Sequence, residues 1–251
     1  MKTIRHIFLL AILVTTVLMI SDSGLAADAP KKTKVLLLTG DDVAPAHNWA
    51  EVSAAIKETL LASGNFDVTV CEDAGVLDSA NLNRYDVVFL HLYNAKTPAP
   101  SPAARANLVN FVKGGKGLVV SHLSSASWAD FAEFRAMCGR YWVMGTSGHG
   151  PRSVFGVKVT AKDHPITQGV EDFQADDELY AKLQGDAPIK VLVEADSDWS
   201  KKTEPLAFTV EYGQGRVFHE AFGHDGKAIR NPAVQKLIQR GTRWAATGKA
   251  E

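Results

Sequence analysis

Two hydrophobic patterns divide the chain. In the first half, Lys34-Val35-Leu36-Leu37-Leu38-Thr39-Gly40, Asp86-Val87-Val88-Phe89-Leu90-His91 and Leu118-Val119-Val120-Ser121 are apolar at consecutive positions. A strand without alternation is one covered on both faces. Phe66-Asp67-Val68-Thr69-Val70 predicts a further strand. Between these runs, Trp49, Val52, Ile56 and Leu60 recur at helical spacing. Ser101-Pro102 is an N-cap followed by proline at the first helical position. It opens a helix carrying Leu108, Phe111 and Val112 that stops at Gly114-Gly115. Trp128, Phe131 and Phe134 predict another helix. Strand and helix in alternation argue for a parallel sheet with right-handed crossovers.

The second half changes character. Val154 to Thr160, Ile189 to Ala195, Leu206 to Val210 and Gly215 to Glu220 predict strands with short links, the last two joined by a turn at Glu211-Tyr212-Gly213-Gln214. Asn231-Pro232 opens a terminal helix with Val234, Leu237, Ile238 and Trp244. No repeat, low-complexity tract or linker interrupts the pattern. The expectation is a single α/β domain over residues 27–251: a parallel sheet flanked by helices, with antiparallel additions in the C-terminal half.

Residues 1–26 are set apart. Lys2 and Arg5 precede an apolar run from Ile7 to Ile20, and Gly24-Leu25-Ala26 supplies small residues for cleavage. This is the layout of a secretory signal peptide. It predicts export to the periplasm or the extracellular space, with no membrane attachment after cleavage.

Charge narrows the function classes. The 251-residue chain carries a formal net charge of −1 and shows no basic patch, which argues against nucleic acid. Its two cysteines, Cys71 and Cys138, make no disulfide framework, and packed thiols are favoured over a bridge. Self-association into a homo-oligomer stays open.

The candidate chemistry lies where strands end. Ligands of open parallel sheets sit beyond the carboxyl ends of the strands. Asp41 and Asp42 follow the first strand, with His47 after them; His91 ends the third, His122 the fourth and His219-Glu220 the last, with Gly223-His224-Asp225 beyond. His122 sits in a small polar turn with Ser121, Ser124 and Ser125. His149 lies in Ser147-Gly148-His149-Gly150, a loop that no core requires. His164, in Asp163-His164-Pro165, reads better as a turn residue, and His91 and His219 could equally be hydrogen-bonded strand residues. In Asp176-Asp177-Glu178-Leu179-Tyr180, alternation along an extended segment would put Glu178 and Tyr180 on the site side while Asp177 faces away or caps.

Histidine with carboxylate suits zinc and other transition metals. No HExxH or CxxC signature is present, and a metal-free acid–base site would use the same residues. The chain also lacks a GxSxG elbow, a Walker loop and a GxGxxG after a strand, so no nucleotide cofactor is expected.

An ordered set of segments carries a family resemblance: Gly114-Gly115-Lys116-Gly117-Leu118-Val119-Val120-Ser121-His122, Asp163-His164-Pro165-Ile166, Asp177-Glu178-Leu179-Tyr180, Tyr212-Gly213-Gln214-Gly215-Arg216-Val217 and Gly223-His224. From Lys34 to Trp244 the chain resembles the ThuA-like family, named for trehalose utilisation. The resemblance implies the flavodoxin-like fold of class I glutamine amidotransferases. Where those enzymes carry a nucleophilic cysteine, this chain has His122, so glutaminase activity is not implied. It further implies carbohydrate metabolism on keto-disaccharides and, in some members, a divalent metal among histidines. His122, His149, Glu178 and His224 match the family's polar motifs. Val120-Ser121 stands before His122 where relatives often have Gly or Ile, and Leu123-Ser124-Ser125 follows where they often show Gly-Ala, which bears on pocket shape and substrate.

The resulting expectation is an exported enzyme acting on a 3-keto-glycoside or disaccharide by isomerisation or elimination. His122, Glu178 and His224 are the expected catalytic residues. His47, His91, His149 and Tyr180 would contact substrate, and His122, His149 and His224 would hold a divalent metal. Trp49, Tyr93 and Trp128 could stack on a sugar, with core packing favoured for both tryptophans. The alternative is a non-catalytic sugar-binding or scaffold protein on the same fold.

Overall fold

From Val35 to Leu38 the first strand is apolar at every position because helices cover the sheet on both sides. The computed structural model describes residues 31–40, 47–94 and 100–251. The expected signal peptide and the Asp41-Asp42 pair lie outside them. Residues 31–251 pack as one compact unit.

In chain order the elements are β1 (Thr33–Leu38), α1 (Trp49–Ala62), β2 (Phe66–Cys71), β3 (Val87–Leu90), α2 (Pro102–Lys113), β4 (Gly117–Ser121), α3 (Ala132–Cys138), β5 (Gly148–His149), β6 (Ser153–Val159), β7 (Phe173–Asp177), β8 (Tyr180–Ala181), β9 (Lys190–Ser197), β10 (Lys202–Tyr212), β11 (Gly215–Glu220), α4 (Gly226–Ile229) and α5 (Pro232–Thr247). Nine strands form one sheet in the order β2-β1-β3-β4-β11-β10-β9-β6-β7. The first five are mutually parallel. That is the flavodoxin-like order, with its switch point between β1 and β3. The remaining four are antiparallel additions.

The strand period of two assigns each residue to a layer. Val35, Leu37, Val87, Phe89 and Val119 face α1 and α5, against Val52, Ile56, Leu60, Leu237 and Ile238. Leu36, Leu38, Val88, Leu90, Leu118 and Val120 face α2 and α3, against Leu108, Phe111, Val112, Phe134 and Met137. Consecutive apolar residues thus serve two cores, one on each side.

Four elements depart from the sequence pattern. β7 pairs along β6 although it ends in Asp176-Asp177. Its Ala175 enters the core, while its two acids take up specific partners described below. β5 and β8 pair with each other over two residues each, too few for a pattern to register. The helix expected around Trp128 begins only at Ala132. Trp128 itself has φ 50° and packs as a core aromatic, its ring centroid 4.8 Å from that of Phe134. Cys71 and Cys138 are free thiols. No helix among the described residues is long and apolar enough to cross a membrane.

A candidate metal and acid–base centre

The carboxyl ends of β1, β4 and β11 open onto one cleft. β4 stops at Ser121, and His122 begins a single 3-10 turn over His122–Ala126. His122 has φ 47° and is completely buried. Its Nδ1 lies 2.8 Å from the Ala221 carbonyl oxygen, so that nitrogen donates. The contact fixes ring orientation and turns Nε2 into the cleft.

β11 delivers His224 through a loop that Asp177 holds. One Asp177 carboxylate accepts from the backbone N–H of Gly223 at 2.7 Å, of His224 at 3.1 Å and of Glu178 at 2.8 Å. Gly223 sits at φ +112°, a conformation that favours glycine. The acid at 177 therefore faces away from the cleft as an anchor, while Glu178 points in. His47 immediately precedes Asn48, whose side chain caps α1 by accepting from the Glu51 N–H at 3.2 Å.

Four donor atoms from these segments lie within 4.8 Å of one another: one each from His47, His122, Glu178 and His224. His47 Nε2 and His122 Nε2 are 3.2 Å apart. Glu178 Oε2 lies 3.2 Å from His224 Nδ1, 3.7 Å from His122 Nε2 and 4.0 Å from His47 Nε2. A tetrahedral zinc with bonds of about 2.0–2.1 Å separates its donors by about 3.4 Å. His224 Nδ1 is buried and meets only the Glu178 carboxylate, at 3.2 Å and outside hydrogen-bond geometry. Spacing, donor chemistry and this unsatisfied nitrogen all fit a divalent transition metal.

His149 approaches the same carboxylate from the other side, its Nε2 3.6 Å from Glu178 Oε2. Its Nδ1 lies 2.7 Å from the Gly150 carbonyl oxygen. Tethered to Gly150, the ring lies against Tyr180 and Trp142 and stays outside the four-donor group. The four-donor group therefore contains His47 where the sequence suggested His149. Tyr180 is buried and stacks on His122, with ring centroids 4.1 Å apart.

Electrostatics couple these groups. Burial would raise the Glu178 pKa, but the adjacent His122 and the other imidazoles around the carboxylate outweigh it and hold the carboxyl at about 2. Burial together with the neighbouring His122 and His224 pushes His47 down to about 4. Burial would also lower His122, yet Glu178 and Asp177 pull it above its ordinary value. A carboxyl held low at Glu178 thus faces an imidazole held high at His122. Burial and the two adjacent carboxylates push Tyr180 well above its ordinary value, keeping it a phenol.

The other candidates lie apart. His91 is 1% exposed, with Nδ1 3.3 Å from the Ser121 hydroxyl, closed off from any substrate that enters the cleft. β3 ends at Leu90, and His91 continues into the packed layer beneath the His122 turn. His219 is buried and donates through Nδ1 to the Cys138 carbonyl at 2.8 Å. His164 stands in a turn against Trp244. Trp49 and Tyr93 are part-buried.

Sequence reasoning missed Arg152. Its Nε lies 3.0 Å from Asp176 Oδ1, Nη2 lies 3.2 Å from Asp225 Oδ1, and Nη1 bonds Asp225 Oδ2. The guanidinium ties the start of β6 to the two segments that carry Glu178 and His224. Nothing in Pro151-Arg152-Ser153 signals this, because both partners are remote in the chain.

The polar motifs of the cleft belong to a recognisable whole. A family model described as ThuA, trehalose utilisation, matches residues 34–245. The chain belongs to the ThuA family. That membership supports a carbohydrate-related role. A ThuA-like protein from Parabacteroides merdae is similar over 87% of this ThuA chain and 91% of its own, at 27% identity and a TM-score of 0.76. Another from Bacteroides uniformis is 17% identical over 90% of this chain and 97% of its own, at a TM-score of 0.68. A β-galactosidase from Bacillus circulans shares the fold over 88% of this chain but only 31% of its own, at 15% identity and a TM-score of 0.58. A search of curated proteins finds no match.

Proposed function

We propose that this ThuA-family chain is an exported enzyme that removes a proton beside the keto group of a 3-keto-glycoside or disaccharide. The observation that carries the reading is convergence. Three imidazoles and Glu178 meet at metal-ligand spacing, and a fourth imidazole, His149, lies 3.6 Å from the same carboxylate. Export follows from the pattern of residues 1–26.

His47, His122, Glu178 and His224 would hold a divalent metal. Bound there, it would supply Lewis acidity toward a substrate oxygen. The chain's own residues do the rest. With its Nδ1 proton committed to Gly150, His149 offers the Nε2 lone pair as the base. A ketone at C3 acidifies the C2–H bond. His149 takes that proton, and the electron pair spreads into the carbonyl. The proton then returns to a different atom of the same sugar, giving an isomer, or leaves with the C1 substituent, giving an unsaturated product and a free aglycone. Tyr180, kept neutral, retains its hydroxyl proton for hydrogen bonding. Glutaminase chemistry has no nucleophile here: Cys138 is buried with its thiol pushed up by burial, and His122 occupies the turn after β4.

The test joins elemental analysis to solvent exchange. About one equivalent of transition metal is expected in the parent and little in His122→Ala and His224→Ala, with circular dichroism unchanged. The metal-loaded parent is expected to wash deuterium into C2 of methyl 3-keto-glucoside, followed by NMR. Metal-loaded protein that neither exchanges nor cleaves this probe overturns the enzymatic reading in favour of a sugar-binding one.

A further inference from the structure

β11 ends by placing a carboxyl, that of Glu220, inside the core. Two residues earlier on the same face, Phe218 packs in the apolar layer under α1 and α5. Burying a polar group at the next inward position is costly unless it finds partners. Glu220 has few. Its Oε2 accepts from the Phe222 N–H at 3.0 Å, while Oε1 has no hydrogen-bond partner among the described residues. The Ser121 hydroxyl lies beside the same carboxyl, since Glu220 and Ser121 are register neighbours on β11 and β4. That hydroxyl is in turn 3.3 Å from His91 Nδ1. An apolar side chain of similar volume would fill this space without an unsatisfied oxygen, so stability alone does not account for Glu220.

Both of its contacts lead to His122. Ser121 precedes that residue in the chain, and Phe222 follows Ala221, whose carbonyl accepts from His122 Nδ1 at 2.8 Å. One carboxyl therefore holds the peptide that enters His122 and the turn that orients its ring. His122 needs such a hold. Its φ of 47° is a conformation that a non-glycine residue keeps only where the surroundings impose it. The Ser125 hydroxyl, donating to the His122 carbonyl at 3.0 Å, secures the side on which the chain leaves. Glu220 and Ser121 secure the side on which it arrives.

We propose that Glu220 is a positioning residue for His122: from within the core, through Ser121 and the Ala221 peptide, it sets the direction in which His122 Nε2 points. The inference rests on the reading of His122 as a metal ligand and adds the support that this ligand requires. His91 extends the same buried chain beyond Ser121.

Two readouts test it, one of them independent of metal. In the metal-free protein the buried His122 Nδ1–H should give a slowly exchanging downfield proton resonance, identified by its absence from His122→Ala. Glu220→Met keeps the volume and should keep the parental circular dichroism, but its resonance should shift or vanish. Its metal affinity, measured by competition with a chromophoric chelator, should fall about 10- to 100-fold. Glu220→Gln retains an acceptor for the Phe222 N–H and a partner for Ser121, so it should keep the resonance in place and the affinity within about threefold of the parent. Ser121→Ala severs one of the two routes and should also move the resonance, which carries the test where Glu220→Met does not fold. A folded Glu220→Met with parental resonance and affinity overturns the proposal, and so does an unmoved resonance in Ser121→Ala. A parent that binds no metal, yet whose resonance moves in these variants, removes the metal reading and leaves the positioning of His122 by Glu220 standing.

Discussion

On the proposed reading His149 is the base, oriented by its Nδ1 contact with the Gly150 carbonyl oxygen 2.7 Å away. His149→Ala is therefore expected to lower the exchange rate by about 10²- to 10⁴-fold, the usual worth of a positioned base. Metal content should stay at the parent value, since the four-donor group does not include this ring. Arg152 acts differently. It touches none of the donors and holds the two acids flanking them, Asp176 and Asp225. Arg152→Ala should weaken metal affinity about 10- to 100-fold, measured by competition with a chromophoric chelator. The two residues also differ in legibility. His149 stood out in a loop with no packing reason for an imidazole. Arg152 and Asp177 act through partners some 24 to 73 residues away, and local sequence carries no trace of such pairings.

Short segments between the elements decide where the donors point. Gly223 lets the chain turn sharply after β11 at φ +112°, and an added Cβ would meet Ile229 Cδ1 at 2.9 Å. Gly223→Ala should cost about 1–3 kcal/mol of stability, seen in thermal unfolding, and should displace His224 enough to lower metal content. The strands that frame these turns were readable because each residue of a doubly covered strand serves a core. β1, β3 and β4 announce themselves in this way. β7 did not, because its last two positions carry acids recruited by Arg152, Lys227 and the 223–224 backbone. β5 and β8 exist only through each other, and a two-residue pairing leaves no periodicity.

At the scale of the molecule, buried titratable groups outside the four-donor group bias stability with pH. Burial pushes His91 down to about 3 and His219 down to about 4. Below an ordinary pKa of 6.5 the unfolded chain takes up protons that the folded chain refuses. Their contribution is thus complete above pH 6.5 and is lost as pH falls toward 4 and 3. Burial pushes Glu220 the other way, to about 8. The folded chain keeps that proton after the unfolded chain has released it, so this contribution is complete below pH 4.5 and is lost as pH rises toward 8. Urea unfolding across pH should show His219→Gln with a shallower acid limb and Glu220→Gln with a shallower alkaline one. The sheet order itself was legible from the alternation of strands and helices, and the antiparallel half from its short links.

The four donors are contributed by residues 47, 122, 178 and 224, nearly the full length of the folded unit. A chain still emerging from the ribosome, or one nicked beyond β11, has no complete cage to offer an ion. On the proposed metal reading, loading would follow the last closure of the sheet, and occupancy would double as a certificate that folding has finished.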